Sequence, residues 1–194
     1  MSGDFLVDDI VTYLEMTERP TRPTLPMPGR KLALMRAEDC TVSFYRYLYD
    51  TVGEPWVWFE RRSWSDERLL AAIRRPDCEI AVLHVAGVPG GYYELDRSDA
   101  DNVELAYFGL VPEFIGRRLG PWLLDAAIDS AFRTEPKRVF VHTCTFDHPK
   151  ALGLYQRAGF RVYERRAVAF PDPRRSGILP RTLRHPRLPR LPDT

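Results

Sequence analysis

The stretch GLVPEFIGRRLGPWLLDAAIDSAF, residues 109–132, decides how this chain is read. It begins as the end of a strand, crosses two glycines that flank Arg117 and Arg118, and continues as an apolar helix predicted from about Leu119 to Arg133. A strand, a tight loop and a helix N-terminus bring several unpaired backbone N–H groups and the positive end of a helix dipole to one point, which favours a phosphate. Gly116 and Gly120 let backbone approach a ligand closely, and Arg117 and Arg118 add charge that pairs with phosphoryl oxygens. Pro121 is tolerated in the first turn, where no intrahelical N–H partner is lost. The loop is not a Walker loop, because no Lys-Ser/Thr follows the glycine, and it is not the GxGxxG dinucleotide pattern. Glycines around solvated arginines also make a plain turn, so the neighbouring segments carry the decision.

Upstream, EIAVLHVAG (79–87), YYELDR (92–97) and NVELAYFGLV (102–111) predict three strands, the first two joined by a turn at Val88–Gly91. Downstream, RVFVHTCTF (138–146) predicts a further strand. HPKALGLYQRAG (148–159) predicts a helix with Ala151, Leu154, Tyr155 and Ala158 on one stripe and Gly159 as its stop, and FRVYERRAVAF (160–170) a last strand. Toward the N-terminus, IVTYLEM (10–16) and KLALMR (31–36) read as strands. AEDCTVSFYRYLYDTVG (37–53) reads as a helix with Val42, Tyr45, Leu48 and Tyr49 on one face, and DERLLAAIRR (66–75) as a short helix capped by Ser65. The predicted class is α+β, a mixed and mostly antiparallel central sheet with helices on both faces.

With 194 residues, 44% of them apolar, the chain has room for one domain of ordinary size. A net charge of +1 argues against a nucleic-acid partner and against a protein spread over an anionic membrane. Cys40, Cys78 and Cys144 are too few and too widely spaced for a disulfide framework or a CxxC metal or redox site, which fits a reducing compartment. MSGDFLVDDIVTYLEM has acids where a signal peptide needs positive charge, and no apolar run is long enough for a membrane span, so a cytoplasmic protein is expected. Two proline-dense segments lie at 19–30 and 170–194. The expected divisions are an N-terminal strand with connector (1–30), a folded domain (31–170) and a flexible basic tail (171–194).

VELAYFGLVPEFIGRRLGPWLLDAAIDSAF together with VFVHTCTFDHPKALGLYQRAGFRVYER resembles the GCN5-related N-acetyltransferases. In that family the first block binds the pyrophosphate of acetyl-coenzyme A and the second ends in a helix-borne LYxxxGF, here Leu154, Tyr155, Gly159 and Phe160. The resemblance covers residues 78 to 165 well and 30 to 77 in element order. It departs at Ile115, where Gln or Arg is usual, and at Arg118, where a glycine is usual and whose side chain must therefore point outward. His148 stands where the family has an asparagine.

The resemblance implies acetyl-CoA as co-substrate, no metal, and a small-molecule or protein amine as acceptor. It assigns the coenzyme to Leu110, Val111, Gly116, Arg117, Arg118, Leu119, Gly120, His148 and Tyr155. It makes Glu104 the general base, Tyr155 the general acid and the Leu110 amide an oxyanion donor. Trp56, Trp58, Tyr93, Tyr107 and His142 are the expected acceptor-site residues, since an aromatic wall selects an apolar amine or holds a cation on its ring faces. His142 and Cys144 share one strand face, which also raises a metal site or a cysteine nucleophile, though no recognised ligand spacing supports the metal.

Arg181, Arg184, Arg187 and Arg190 recur among the tail prolines at the period of a polyproline II helix, a ridge suited to an acidic partner. Two other readings follow: a non-catalytic acyl-CoA-binding module of the same fold, and an interaction protein acting through the tail. Pairing into a homodimer through sheet edges is compatible with all three.

Overall fold

The computed structural model describes residues 6–29 and 31–191. Met1–Phe5, read above against a leader, Arg30 at the end of the connector, and Pro192–Thr194 of the tail lie outside the described residues. The strands are β1 (Leu6–Met16), β2 (Leu32–Arg36), β3 (Cys78–Val85), β4 (Val88–Asp96), β5 (Asn102–Leu110), β6 (Arg138–Thr143) and β7 (Arg161–Pro171). The helices are α1 (Val42–Gly53), α2 (Asp66–Ile73), α3 (Leu119–Ala131) and α4 (Ala151–Ala158). One seven-stranded sheet has the order β2-β3-β4-β5-β6-β1-β7. Only β5 and β6 run parallel, so the sheet is mixed and mostly antiparallel, in the α+β class.

The helices form where the apolar spacing and caps place them. Thr41 caps α1 by accepting the Phe44 amide, and Tyr45, Leu48, Tyr49 and Val52 form its buried face. Ser65 caps α2 by accepting the Arg68 amide. These two helices cover one face of the sheet through a core that includes Ile80, Val82 and Tyr92. The opposite face packs Leu83, Leu95, Val103 and Leu105 against Leu123, Ala127 and Ile128 of α3 and Tyr155 of α4. A buried Arg61–Glu94 pair at 2.8 Å ties the tryptophan-rich segment 54–64 to β4 beneath it, and Arg61 lies over the Tyr107 ring at 4.5 Å.

β1 begins at Leu6, earlier than the predicted Ile10, because its first residues pair with the end of β7. It fills the space between β6 and β7, antiparallel to both, so the first and last strands of the chain lie side by side. The connector that follows crosses α3, where the Leu25 amide and Arg22 both reach the buried Asp125.

The tail is laid against the domain and does not run as an isolated polyproline ridge. Arg174 is buried and makes a two-pronged pair with Asp172, with 2.6 and 3.0 Å contacts. Its remaining donors hold the carbonyls of Leu183 and Pro189 at 3.3 and 2.7 Å, which winds the tail around one guanidinium. Leu179 and Leu188 are buried in a third small core with Val7, Val57 and Phe146. Arg181, Arg184, Arg187 and Arg190 stay exposed, Arg181 and Arg187 in turns and the other two in irregular chain.

Candidate active site

The site arises from an irregularity in β5. Against β4 the register passes from Glu94 opposite Tyr107 to Leu95 opposite Leu105, which leaves Ala106 as an extra, bulged residue. On its other side β5 pairs with β6 only over Asn102–Glu104 against Arg138–Phe140. Beyond that point the two strands are no longer paired. The Val111 amide donates to Gly90 of β4, so by antiparallel alternation the amides of Leu110 and Phe108 point the other way, across the gap toward β6. A parallel strand pair opened in this way offers backbone donors to an extended ligand lying between its arms.

At the mouth of the gap stands the opening loop. Gly116 has φ +85°, which an L side chain adopts only under strain, and open space where a Cβ would be. Arg118, in the place of the usual glycine, takes the left-handed conformation at φ 61° and caps α3 with its side chain exposed. A Cβ on Gly120 would come 3.8 Å from Leu110 and 3.9 Å from Leu154, so the loop, the end of β5 and α4 converge on one place. The first amides of α3 carry the positive end of its dipole there.

A cavity of about 640 Å³ runs from this loop through the gap to the tryptophan-rich segment. Leu110, Gly116, Arg118, Gly120, His148 and Tyr155 line it among the expected coenzyme residues, and Trp56, Trp58, Tyr107 and His142 among the expected acceptor residues. Four expected residues do not line the cavity with their side chains. Val111 is buried in the core under α1, with its amide spent on Gly90, and Leu119 buries its side chain while its amide belongs to the first turn of α3. Arg117 is turned onto the Phe114 ring at 4.9 Å and does not line the cavity. Tyr93 lies on the wrong face of the sheet, buried beneath α3 with its hydroxyl donating to Glu79 at 3.0 Å.

The profile of the acetyltransferase (GNAT) family matches residues 45–160, which span both core faces, the bulged strand, the loop and α4. The chain belongs to that family. Among solved structures, the GNAT chain is similar in fold to a GCN5-related N-acetyltransferase from Sphaerobacter thermophilus, at 19% identity and TM-score 0.57 over 84% of this chain and 50% of that one. It is similar to a functionally unknown conserved protein from Staphylococcus epidermidis, at 14% identity and TM-score 0.57 over 87% of this chain and 63% of that one. A tandem GNAT protein from the clavulanic acid biosynthesis pathway aligns at 15% identity and TM-score 0.56 over 85% of this chain and 53% of that one. This chain thus spans about half to under two thirds of the length of these proteins. No curated protein matches the sequence.

Three groups at the centre of the cavity can move protons. Tyr155 is buried, its ring edge-on to Phe108 and Phe160, and its hydroxyl bonds to no described residue. Burial, with Asp147 nearby, pushes its pKa well up, which keeps the phenol protonated and able to donate. His142 lines the cavity, and Glu104 lies behind it with Oε1 3.3 Å from Nδ1. Glu104 does not itself line the cavity; it faces a smaller pocket with Arg138 and Phe140. The hydrogen bond to Glu104 raises the His142 pKa above its usual 6.5, against the opposing effect of burial. His148 accepts the Lys150 amide on Nδ1 at 3.1 Å, which leaves Nε2 as the nitrogen able to donate.

The cysteine nucleophile receives no support. Burial, then Asp147 and Asp9, drive the Cys144 pKa far up, and the thiol stays protonated. Among the described residues no group of three or more His, Cys, Asp or Glu side chains could hold a metal, and no helix is long and apolar enough to cross a membrane.

Sequence reasoning missed several lining residues. Asp147 accepts Thr143 Oγ1, the Cys144 amide and Trp58 Nε1 at 2.7, 2.9 and 3.3 Å, and so fastens the tryptophan segment to the end of β6. Phe146 and Phe170 meet edge to face at 5.6 Å, with the folded tail behind them. Asp9 lines the cavity from β1. The only signal for Asp9 was alternation with Tyr13, which places both on one face but cannot say which strand lies alongside.

Proposed function

We propose that this protein transfers an acetyl group from acetyl-CoA to a primary amine by direct attack in a ternary complex. The observation that carries the reading is the gap between β5 and β6, where two strand amides, the α3 N-terminus and the Tyr155 hydroxyl face one continuous cavity. Gly116, Gly120 and the first amides of α3, with Arg118 beside them, hold the pyrophosphate. Phe108 and Leu110 donate to the pantetheine arm and to the thioester oxygen as negative charge develops there. His148 gives the arm a further donor.

His142, oriented by Glu104, takes the ammonium proton on Nε2 so that the neutral amine attacks the thioester carbonyl. The new C–N bond forms, the C–S bond breaks, Tyr155 gives its proton to the departing thiolate, and the second proton that the nitrogen must lose returns to the Tyr155 phenolate, leaving the net proton on His142 to pass to solvent. Glu104 is thus a positioning residue for His142 rather than the base that touches the amine. The three free thiols fit a reducing compartment.

The test is release of free coenzyme A thiol from acetyl-CoA in the presence of a panel of primary amines, for the wild type and Tyr155→Phe. We expect amine-dependent release, with kcat reduced about a hundredfold in the variant and the KM for acetyl-CoA little changed. Acetyl-CoA binding without turnover of any amine would favour a binding module of the same fold.

A further inference from the structure

The two ends of the cavity carry opposite charge. Arg118, Lys150 and Arg157 line it together with the loop and α4, whereas Asp9, Glu60 and Asp147 line the portion built from β1, the tryptophan segment and the end of β6. Among the described residues no Arg, Lys or His forms an ion pair with any of these three carboxylates. Asp147 is occupied structurally, as described above. Asp9 is different: only 7% exposed, it receives the Ile10 amide, the Thr145 amide and Thr145 Oγ1, all on Oδ1. Its Oδ2 receives no hydrogen bond from a described residue and is not among the buried polar atoms left without a partner, so it is open to the cavity that Asp9 lines.

A carboxylate held through one oxygen, with no cationic side chain beside it and its other oxygen open to a largely apolar cavity, presents negative charge that a cationic ligand completes. The same cavity is lined by Trp56, Trp58, Phe59, Phe146 and Phe170, whose rings suit an organic cation. Resting on the acetyl-transfer reading, we propose that the acceptor is a diamine, one nitrogen acetylated beside His142 and the other held as an ammonium by Asp9. Tyr13 is paired with His142, and Asp9 lies four residues before it on the same strand, so the two positions are separated by at most roughly 13 Å along β1. A short alkyl or aryl diamine spans such a distance.

The experiment compares kcat/KM for hexamethylenediamine with that for hexylamine, and for xylylenediamine with that for benzylamine, in the wild type and in Asp9→Asn. Asparagine keeps the Oδ1 acceptor for Thr145 and replaces the anionic oxygen with a donor. We expect each diamine to be preferred over its monoamine by about tenfold or more, the scale of one hydrogen bond to a charged group, and the variant to lose that preference. Calorimetric titration of hexamethylenediamine into protein saturated with coenzyme A gives a readout independent of turnover, and binding there weakens to the same degree in the variant.

Equal turnover of diamine and monoamine by the wild type overturns the inference and leaves acetyl transfer standing. Diamine binding that depends on Asp9 without turnover of any amine supports the site and overturns acetyl transfer. Neither turnover nor binding overturns both. If Asp9→Asn does not fold, Asp9→Glu advances the charge by one methylene and shifts the preference toward a shorter diamine; an unshifted preference overturns the inference.

Discussion

His142 and Glu104 form one unit in this account, and pH separates their roles. The neutral imidazole is the base, and Glu104 raises its pKa above 6.5, so kcat/KM falls as pH drops through a value above 6.5 and the His becomes protonated. Glu104→Gln removes the cause of the shift. Its acidic limb moves down toward 6.5 while the rate on the alkaline plateau also falls, and a pH–rate profile of both proteins checks this. An acidic limb that disappears altogether in Glu104→Gln would make Glu104 itself the base. At this scale much was legible: Tyr155 stood out by its frame, and His142 and Cys144 by alternation. Tyr93 was misplaced because neighbouring strand residues point to opposite faces, and composition does not say which face carries the helix and which the cavity.

The loop and the tail contrast at the scale of elements. The loop before α3 was readable because glycines, a proline and a run of apolar residues each mark one local feature. The tail was not, because its order comes from a single buried ion pair and from leucines four or more residues apart among prolines, with no period of helix or strand. Arg174→Ala leaves Asp172 buried without its cation, and we expect a loss of about 3 to 5 kcal/mol in a chemical denaturation curve. Replacing the pair together by Arg174→Met and Asp172→Leu should restore most of it. A loss below about 1 kcal/mol for the single variant would mean that the tail is not pinned by this pair. Because the tail core continues into Phe146 and Phe170, the same variant should also weaken acceptor use.

The whole molecule places its site between strands that sequence order does not relate. That β5 and β6 are parallel follows from the helix between them, since a crossover connection is needed to join parallel neighbours. That β1 slots between β6 and β7 could not be read, because register between the first and last strands depends on contacts across the full chain. This insertion is what brings Asp9 to the cavity, and it explains why the loop end of the cavity was largely legible and the end lined by β1 and the tryptophan segment only in part. Local motifs make the first; long-range pairing makes the second.

The central claim is that the gap and loop hold acetyl-CoA, and calorimetric titration of the purified protein with acetyl-CoA, beside Arg118→Glu, tests it most directly. The account predicts binding in the micromolar range, weakened at least tenfold by a negative charge placed at the α3 N-terminus. No binding by the folded wild-type protein would contradict it, and equal binding by the two proteins would place the phosphates somewhere other than this loop.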